Sequence, residues 1–368
     1  MKIAVDISPI EGKGSVQHRV RGTGFYLRNL KESLLKYDVI NKYTFFTRGE
    51  KLPNDVDLIH YPYFEPFFLT LPFFNKFPFV TTVHDLTPLV FPKYFPKGIK
   101  GILKWKLQKA SLRKARRIIT DSISSKKDIV KYAGIVSEKI DVVYLAADNE
   151  FRKKNLTIDE ADKLRKKYNL PKEFALYVGD VTWNKNLPRL MEACLKADVP
   201  LVMTGKALLN SDFDKKNPWN QDLVKVQKLC EGKKNITRVG FVDDEDLVSL
   251  YNIAKVFIMP SLYEGFGLPI LEAMSCGCPV VTSREGSLPE VAGDAAFYVD
   301  AYSVDSISDG IKKVFSDRDL RKVLSEKGIK QSQKFSWKKT AEETRECYKK
   351  ALRHEDKNFP SLVIKSNI

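Results

Sequence analysis

Short apolar segments alternate with helical segments along almost the whole chain, and this alternation constrains the fold more than any other feature. The first series of strand-like segments comprises Ile3–Ile7, Tyr43–Phe46, Leu58–His60, Phe79–Val83, Ile118–Thr120 and Val142–Leu145. The second series comprises Phe174–Gly179, Leu201–Thr204, Ile236–Val239, Val256–Met259, Val280–Thr282 and Ala296–Val299. Strands separated by helices form parallel sheets with crossover connections. The sequence therefore predicts an α/β protein with two doubly wound, Rossmann-like domains that bind ligands at the carboxyl ends of their strands.

Length and composition fit two globular domains without a membrane-spanning segment. The chain has 368 residues, 43% of them hydrophobic, and no apolar run reaches the roughly 18 residues that suggest a membrane helix. The first residues, Met1–Ser8, lead directly into a strand and do not resemble a secretory signal. The five cysteines are odd in number and lack zinc-ligand spacing. We therefore expect reduced thiols in a cytoplasmic protein.

The net charge of +16 requires a physical explanation. Nucleic acid, an anionic membrane face and an anionic substrate are three candidate partners, and a lysine-rich composition alone would account for part of the charge. The basic residues are spread widely and no nucleic-acid-binding module is recognisable. We therefore predict that nucleic acid is not a partner, and that salt-dependent retention on DNA would test this.

The segment from Pro260 to Asp300 carries the clearest functional motif. It reads PSLYEGFGLPILEAMSCGCPVVTSREGSLPEVAGDAAFYVD, and Glu264 and Glu272 bracket its turn Gly265–Pro269. A turn between a strand and a helix start makes an anion site, because unpaired N–H groups and the positive helix end face the ligand. Pro269 suits the first helical turn. Glu272 would then accept hydrogen bonds from a ribose, and Glu264 would face the other end of a nucleotide diphosphate sugar.

This segment resembles the signature of retaining glycosyltransferases of family 4, in which a glutamate is followed eight positions later by a second one across a GFG turn. The GSLPEV and GDAA runs fit the same family, and the match extends from Met1 to about Ala351. The resemblance implies the GT-B arrangement, with two Rossmann-like domains facing a cleft. It implies an acceptor-binding domain over 1–165, a domain for the nucleotide-sugar donor over 166–340, and a final segment, 341–368, with a helix that crosses back to the first domain and a frayed tail.

A first candidate element is the glycine turn Gly22–Gly24, before a helix that is predicted to start near Phe25. A glycine turn opening a helix lets a phosphate or sugar approach the backbone closely. The resemblance implies that Gly24 lies under the donor phosphates, whereas a tight connection between strand and helix is the alternative. The preceding loop contains Lys13, His18, Arg19 and Arg21, and could receive an anionic acceptor.

Two histidines lie at the ends of predicted strands. His84 follows Phe79–Val83, and the resemblance implies that it contacts the donor sugar. A lone histidine is more often structural, but the carboxyl end of a parallel strand is where ligands bind. His60, at the end of the preceding strand, is a weaker candidate; His18 is possible, and His354 is not expected to take part.

Lys185 lies in a loop after the first strand of the second half. A positive charge there could stabilise the departing diphosphate in the transition state, although a solvated lysine is the alternative. The segment resembles the family's glycine-to-lysine loop, which starts here at Gly179. Family members often carry a basic residue before the lysine, where this chain has Asn184, and some carry an arginine where it has Asp180. Lys206 could supply the missing charge.

The turn Gly240–Val242 is implied by the resemblance to line the nucleobase pocket, and Arg238 is a weaker candidate for the same region. The predicted catalytic residues are His84, Lys185 and Glu264. The predicted donor-binding residues are Gly24, Gly179, Lys185, Gly240, Phe241, Val242, Glu264, Gly265, Phe266, Gly267, Leu268 and Glu272. The acceptor-binding residues are not assigned.

No metal or other cofactor is predicted. Two Asp-x-Asp strings occur, at 55–57 and 244–246, but the first leads into an apolar strand and the second opens a helix, where acids suit the dipole. No histidine–cysteine cluster has ligand spacing. We expect the reaction to proceed without a required metal.

The segment Pro96–Arg117 carries nine basic residues, no acid, and interspersed apolar residues that include Trp105. A basic amphipathic helix of this kind suits an anionic bilayer surface. A crossover helix with a solvated basic face is an equally good interpretation. If the helix binds membrane, the protein would be peripheral on the inner face of the plasma membrane.

These observations favour a retaining glycosyltransferase that moves a hexose from a nucleotide-sugar to a glycan or lipid-linked acceptor in polysaccharide or lipopolysaccharide assembly. The runs HDLTPL and NKNL, together with the glycine-turn segment, resemble mannosyltransferase-like members, which suggests GDP-mannose. UDP-glucose and UDP-N-acetylglucosamine remain alternative donors. A sugar-nucleotide epimerase with the same two-domain architecture is an alternative function. A nicotinamide dehydrogenase is disfavoured because no GxGxxG follows the first strand.

Overall fold

The fold is described from a computed structural model, which covers residues 1–11 and 21–353. Within these residues, the first sheet has six parallel strands, namely β1 (Lys2–Asp6), β2 (Lys42–Phe46), β3 (Leu58–Tyr61), β4 (Phe79–Thr82), β5 (Arg117–Thr120) and β6 (Ile140–Val142). Their order is β2-β1-β3-β4-β5-β6. Strand β3 pairs with β1 on one side and β4 on the other, with His60 opposite Val5 and Val80. The carboxyl ends of these strands therefore form one continuous edge.

The second sheet is also parallel and has six strands in the described residues. They are β7 (Ala175–Val178), β8 (Leu201–Thr204), β9 (Ile236–Gly240), β10 (Val256–Met259), β11 (Val280–Ser283) and β12 (Ala296–Val299), in the order β12-β11-β10-β7-β8-β9. Strands β8 and β10 are mostly apolar and are buried along their whole length, as expected for strands with both faces covered. The α/β class predicted from the alternating pattern is confirmed.

Helices cover both sheets. They are α1 (Ser8–Glu11), α2 (Arg21–Tyr37), α3 (Thr87–Val90), α4 (Gly98–Lys114), α5 (Ile123–Asp128), α6 (Ile158–Tyr168), α7 (Leu187–Ala197), α8 (Gln221–Cys230), α9 (Asp244–Ile253), α10 (Leu268–Ser275), α11 (Leu288–Ala292), α12 (Val304–Ser316), α13 (Arg318–Ser332) and α14 (Trp337–Arg353). A short π-helix, Ile129–Ala133, follows α5. No helix in the described part of the chain is both long and apolar enough to cross a membrane.

The helix α14 returns from the second half of the chain and completes the core of the first. Tyr348 is fully buried, and its hydroxyl lies 2.8 Å from Nδ1 of His60 on β3. The other imidazole nitrogen of His60 lies 2.9 Å from Oγ1 of Thr82. Burial lowers the pKa of His60 to about 3, so this histidine is neutral and links α14 to the sheet. Helix α14 therefore contacts the first half of the chain, and His60 has a structural role.

The structure differs from the sequence-based expectations at several boundaries. Gly22 and Gly24 lie inside the first turn of α2, which begins at Arg21 and not near Phe25. The strand predicted over Val142–Leu145 lies earlier in the chain, since β6 begins at Ile140 and ends at Val142. Lys13, His18, Arg19 and His354 lie outside the described residues.

The predicted domain boundary at residues 165 and 166 falls inside α6. This helix pairs with the second half, since the Tyr168 hydroxyl donates to Asp246 at 2.5 Å. Lys154, just before α6, also donates its N–H to Asn252 on α9 at 2.7 Å. The division into domains stays a prediction, with α6 contacting the second sheet's helices.

Candidate active site

The loop after β10 holds Glu264 in a fixed position. Its carboxylate accepts hydrogen bonds from Lys185 Nζ at 2.9 and 2.8 Å and from the Ser261 hydroxyl at 2.6 Å. Glu264 is buried, whereas the Lys185 side chain keeps one fifth of its surface exposed. Two of the three residues predicted to be catalytic, Lys185 and Glu264, therefore form an ion pair, which is weakly screened because it is largely buried. The exposed part of the Lys185 side chain can be reached by a ligand that enters from solvent.

The glycine turn can take its shape only with glycine at specific positions. Gly267 has φ +102°, a backbone conformation that other residues rarely adopt. A Cβ on Gly286, which has φ +60°, would lie 2.7 Å from the Glu264 carbonyl oxygen. The Ser287 hydroxyl lies within hydrogen-bond distance of the Glu264 and Phe266 carbonyl oxygens, at 3.0 and 2.7 Å. The later GSLPEV segment thus fixes the loop that carries the first glutamate.

Leu268 and Pro269 begin α10 directly after this turn, and Pro269 lies in the first turn as predicted. The N–H groups at a helix start lack helical partners, so this end of α10 attracts anions. Glu272 follows on the second turn and is 8% exposed. The Tyr251 hydroxyl donates to Glu272 Oε2 at 2.9 Å. Burial raises the pKa of Glu272 to about 7, which the Tyr251 hydrogen bond only partly offsets.

His84, just beyond β4, is oriented by a carboxylate that the sequence analysis did not single out. Its Nδ1 lies 2.7 Å from Oδ2 of Asp121, which directly follows β5. Burial is the largest single influence and would lower the pKa of His84, but the charge and hydrogen bond of Asp121, together with smaller contributions that include the Asp85 charge, outweigh burial and raise the pKa. The ring also meets Tyr26 of α2 edge-on, with centroids 4.8 Å apart. Within the described residues, His84 Nε2 and Asp121 Oδ1 are buried without a hydrogen-bond partner.

The carboxyl edges of the two sheets meet at the glycine turn. A Cβ on Gly265 would lie 2.8 Å from Cβ of Asp85 and 3.0 Å from the His84 carbonyl oxygen. The Ser125 hydroxyl lies 2.9 Å from the same His84 oxygen and 3.3 Å from the Gly265 oxygen. Only a residue without a side chain permits this approach. The contact brings His84 and the Glu264 loop, predicted separately, to one site.

Further contacts hold the two halves together around this site. Glu290 accepts hydrogen bonds at 2.8 Å from the backbone N–H groups of Ile123 and Ser124, at the start of α5. A carboxylate at a helix N-terminus is favoured by the dipole. Trp183 also stacks on Tyr94, with ring centroids 3.7 Å apart. Glu290 and Trp183 lie within motifs noted in the sequence, but their partners are more than 80 positions away.

The remaining predicted donor residues differ in how they are placed. Gly179, at the end of β7, donates its N–H to the Thr204 carbonyl oxygen at 3.0 Å. Gly240 has φ +77° at the end of β9, and it is followed by an exposed Phe241 and a buried Val242. These glycines mark strand ends on the same sheet edge as the Glu264 loop. The Phe266 ring is buried next to Tyr144 and Phe335, so its side chain belongs to the core and its predicted role rests on its backbone.

Gly24 completes the predicted donor residues, and Lys206 and Arg238 are the weaker candidates. Gly24 lies on α2 two residues before Tyr26, whose ring contacts His84. Lys206 is exposed in the turn after β8. Arg238, on β9, donates a hydrogen bond to the Leu208 carbonyl oxygen at 3.2 Å. Among the described residues, no group of three or more histidine, cysteine or acidic side chains is arranged to hold a metal ion.

Two family descriptions match the chain. Residues 8–151 match the family described as Glycosyltransferase Family 4, and residues 160–331 match that described as Glycosyl transferases group 1. The O-antigen chain mannosyltransferase B of Escherichia coli is 34% identical over 279 residues, which cover 73% of this chain and 70% of the relative.

The serotype-specific mannosyltransferase WbdA of Escherichia coli is 31% identical over 275 residues. This match covers 71% of the chain but only 32% of WbdA, so the chain spans about a third of that relative. Among solved structures, sucrose-phosphate synthase from Thermosynechococcus elongatus has a TM-score of 0.72 at 19% identity. The alignment covers 96% of this chain and 99% of the synthase and supports the same two-sheet fold.

Proposed function

The chain belongs to glycosyltransferase family 4, and on that premise we propose that it is a retaining transferase that moves a hexose from a nucleotide-sugar to a glycan or lipid-linked acceptor. The observation that carries this proposal is the convergence of Lys185, Glu264, Glu272 and His84 around one glycine turn. Mannose is the proposed sugar because the named activity of both Escherichia coli relatives is mannosyl transfer. GDP-mannose is the proposed donor, with UDP-glucose and UDP-N-acetylglucosamine as alternatives.

In the proposed complex the diphosphate lies at the start of α10. The N–H groups of Gly267 and Leu268 would donate to phosphate oxygens, and the positive end of the helix would favour the charge. Lys185 now neutralises Glu264, and its ammonium group would turn to the diphosphate when the donor binds. The Glu272 carboxylate would accept hydrogen bonds from the ribose hydroxyls. Val242, buried beside Gly240, would pack against the base.

The hexose would lie between the two sheets, next to His84 and Glu264. The acceptor hydroxyl oxygen would attack the anomeric carbon from the face that the diphosphate leaves. The bond between that carbon and the phosphate oxygen breaks with its electron pair on phosphate, and the acceptor proton moves to the same oxygen. Configuration is retained because the incoming and leaving oxygens share one face. Lys185 and the α10 start stabilise the charge that develops on the diphosphate.

We further propose that the reaction requires no metal and that the N-terminal half contacts an anionic membrane surface. The charge of Lys185 and the α10 dipole would replace a metal at the diphosphate. The helix α4 lies in the segment Lys97–Arg117, for which the sequence left two equal interpretations, a membrane-binding helix and a crossover helix with a solvated basic face. A lipid-linked acceptor would place the protein at the inner face of the plasma membrane, with no nucleic acid partner.

A donor screen tests the function. Release of nucleoside diphosphate is followed from GDP-mannose, UDP-glucose and UDP-N-acetylglucosamine, with and without EDTA, in the presence of polyprenyl-linked acceptors. We expect turnover of one donor, unchanged by EDTA and reduced by roughly 100-fold or more in Lys185→Ala and Glu264→Ala, the scale seen when one electrostatic group is removed. Lys322→Ala, on an exposed face of α13, is the matched control.

The outcomes separate the parts of the proposal. A thermal shift with one donor but no turnover would show that the acceptor class is wrong. Loss of turnover on adding EDTA would contradict the metal-independent step alone. An inverted anomeric product, read by NMR coupling constants, would contradict retention. Neither turnover nor a thermal shift with any donor would overturn the donor site itself.

A further inference from the structure

A broad groove lies on the side of the first sheet that faces away from the candidate active site. Its volume is about 1000 Å³. The lining includes Phe79, the first residue of β4, and Arg117, the first residue of β5, so the groove follows the amino ends of these strands. His84 and Asp121 lie beyond the carboxyl ends of the same strands. About 13 Å of extended chain separates the two edges, since each strand has four residues.

Basic residues dominate the groove. Its lining contains one acid, Glu138, and six basic residues, namely Lys76, Arg113, Lys114, Arg116, Arg117 and Lys139. Arg117 is paired with Asp141. The ammonium groups of Lys114 and Lys139 donate to backbone carbonyl oxygens of Phe73 and Arg113, at 3.0 and 2.7 Å. These hydrogen bonds leave the positive charge uncompensated.

Three separate segments supply these charges. Arg113 and Lys114 end α4, where cations suit the helix dipole, but that account does not extend to Lys76 or Lys139. Within the described residues, none of these four side chains takes part in an ion pair. Burial lowers the pKa of Lys139, and repulsion from the charges of Arg116 and Arg117 lowers it further. A bound anion would relieve that repulsion.

Exposed apolar side chains adjoin the cations. Phe74 is 84% exposed, and Lys114 Nζ lies 4.1 Å from the centroid of the adjacent Phe73 ring. Phe73 also lines a second groove of about 570 Å³, which is mostly apolar and includes Leu107 of α4. From Leu107 an exposed stripe continues along α4 through Leu103, Ile102 and Ile99, at helical spacing. A soluble anion would use only the cations, whereas a lipid would use both surfaces.

We infer that the amino-terminal edge of the first sheet is a binding site for anionic phospholipid headgroups, with Phe73, Phe74 and the exposed stripe of α4 entering the bilayer surface. The main cations of this site are Arg113 and Lys114, in the last turn of α4. Lys76 and Lys139 contribute further positive charge from outside the predicted basic helix. Because the groove lies opposite the sheet edge that carries His84, lipid can occupy it while donor binds.

Vesicle co-sedimentation tests this inference with the full chain and without any sugar donor. We expect binding to vesicles that contain phosphatidylglycerol and not to phosphatidylcholine vesicles, weakening as salt is raised. Each basic residue near an anionic surface contributes about 1 kcal/mol. The double variant Lys76→Glu, Arg113→Glu should therefore bind at least roughly 20-fold more weakly. Lys312→Glu, Lys322→Glu, with the same charge change on exposed helices of the second half, is the matched control and should bind within about twofold of wild type.

Phe74→Ser separates insertion from charge. This variant should lose the binding that persists at high salt, while the response to anionic lipid at low salt remains. If both double variants lost vesicle binding equally, only the net charge of the protein would matter, and the proposed site would be refuted. Binding to a DNA duplex, or a thermal shift with inorganic phosphate, with no vesicle binding would also overturn it. The inference deepens the proposed membrane partner, and because the vesicle assay needs no turnover, its failure is distinct from failure of the transferase function.

Discussion

Glu272 makes a specific prediction about the pH dependence of donor binding. Its pKa of about 7 means that half of the free protein carries a protonated Glu272 near neutral pH. A protonated carboxyl accepts hydrogen bonds from two ribose hydroxyls less well than a carboxylate does. If only the carboxylate form binds, the apparent dissociation constant should rise about tenfold between pH 8 and pH 6, because one unit below the pKa leaves about a tenth of the sites competent.

Calorimetry with the intact nucleotide-sugar is the assay. An intact diphosphate sugar lacks the terminal phosphate whose second ionisation falls near pH 6, so the protein dominates the dependence. Glu272→Gln should bind more weakly with a flat profile. Tyr251→Phe removes a hydrogen bond that lowers the pKa of Glu272 and should move the midpoint upward. A wild-type profile without slope, or a slope that persists in Glu272→Gln, would refute the reasoning.

The raised pKa of Glu272 also predicts how the free energy of unfolding of the ligand-free protein depends on pH. Since the folded pKa of Glu272 lies above its usual value of 4.5, the folded state holds this proton more tightly than the unfolded state. The contribution to stability is present below about pH 4.5 and is lost as pH rises through about 7. The loss amounts to roughly 3 kcal/mol at most. The stability of Glu272→Gln relative to wild type, measured by urea unfolding, should therefore increase from pH 5 to pH 8.

Three further predictions concern the contacts around the site. Asp121→Asn should lower the pKa of His84, because it removes the largest of the interactions that raise this pKa against burial, and should reduce turnover roughly tenfold or more; an unchanged His84 titration by NMR would contradict this. Gly265→Ala should lower turnover at least tenfold without unfolding, since its Cβ would lie 2.8 Å from that of Asp85, and full activity would show that the two halves need not meet there. Glu290→Gln should cost about 1–3 kcal/mol of unfolding free energy and increase the radius of gyration in X-ray scattering; wild-type values of both would exclude a bridging role.

Features that depend on local sequence could be predicted. The glycine turn and α10 are encoded over a few residues, because Gly267 has a positive φ that favours glycine and Pro269 is well tolerated in the first turn of a helix but not in its interior. The strands of the sheet are short apolar runs between helical segments, and such runs are typical of buried parallel strands. The family resemblance then suggested a role for each position. The structure placed Lys185 and Glu264 together, at a separation of 79 residues that no local pattern specifies.

Contacts between distant segments could not be predicted. Asp121 follows a strand and belongs to no recognised sequence motif. It lies beside His84 only because β4 and β5 are neighbours in the sheet. Glu290 was visible in GSLPEV, but its partners on α5 lie more than 160 positions away. The start of α2 was also predicted wrongly, near Phe25 and not at Arg21, because a glycine such as Gly24 is compatible both with the first turn of a helix and with a loop.

The return of α14 has a consequence for how the protein is made. Tyr348, Cys347 and Ala351 are fully buried in the same core as Tyr26 and Leu27 of the first half. A ribosome completes β1–β6 long before it synthesises these residues, so the nascent first half emerges with part of its apolar core uncovered. We expect that half to depend on chaperones during synthesis. A stop codon before Trp337 should therefore yield an aggregating product, even though it removes no residue of the glycine turn.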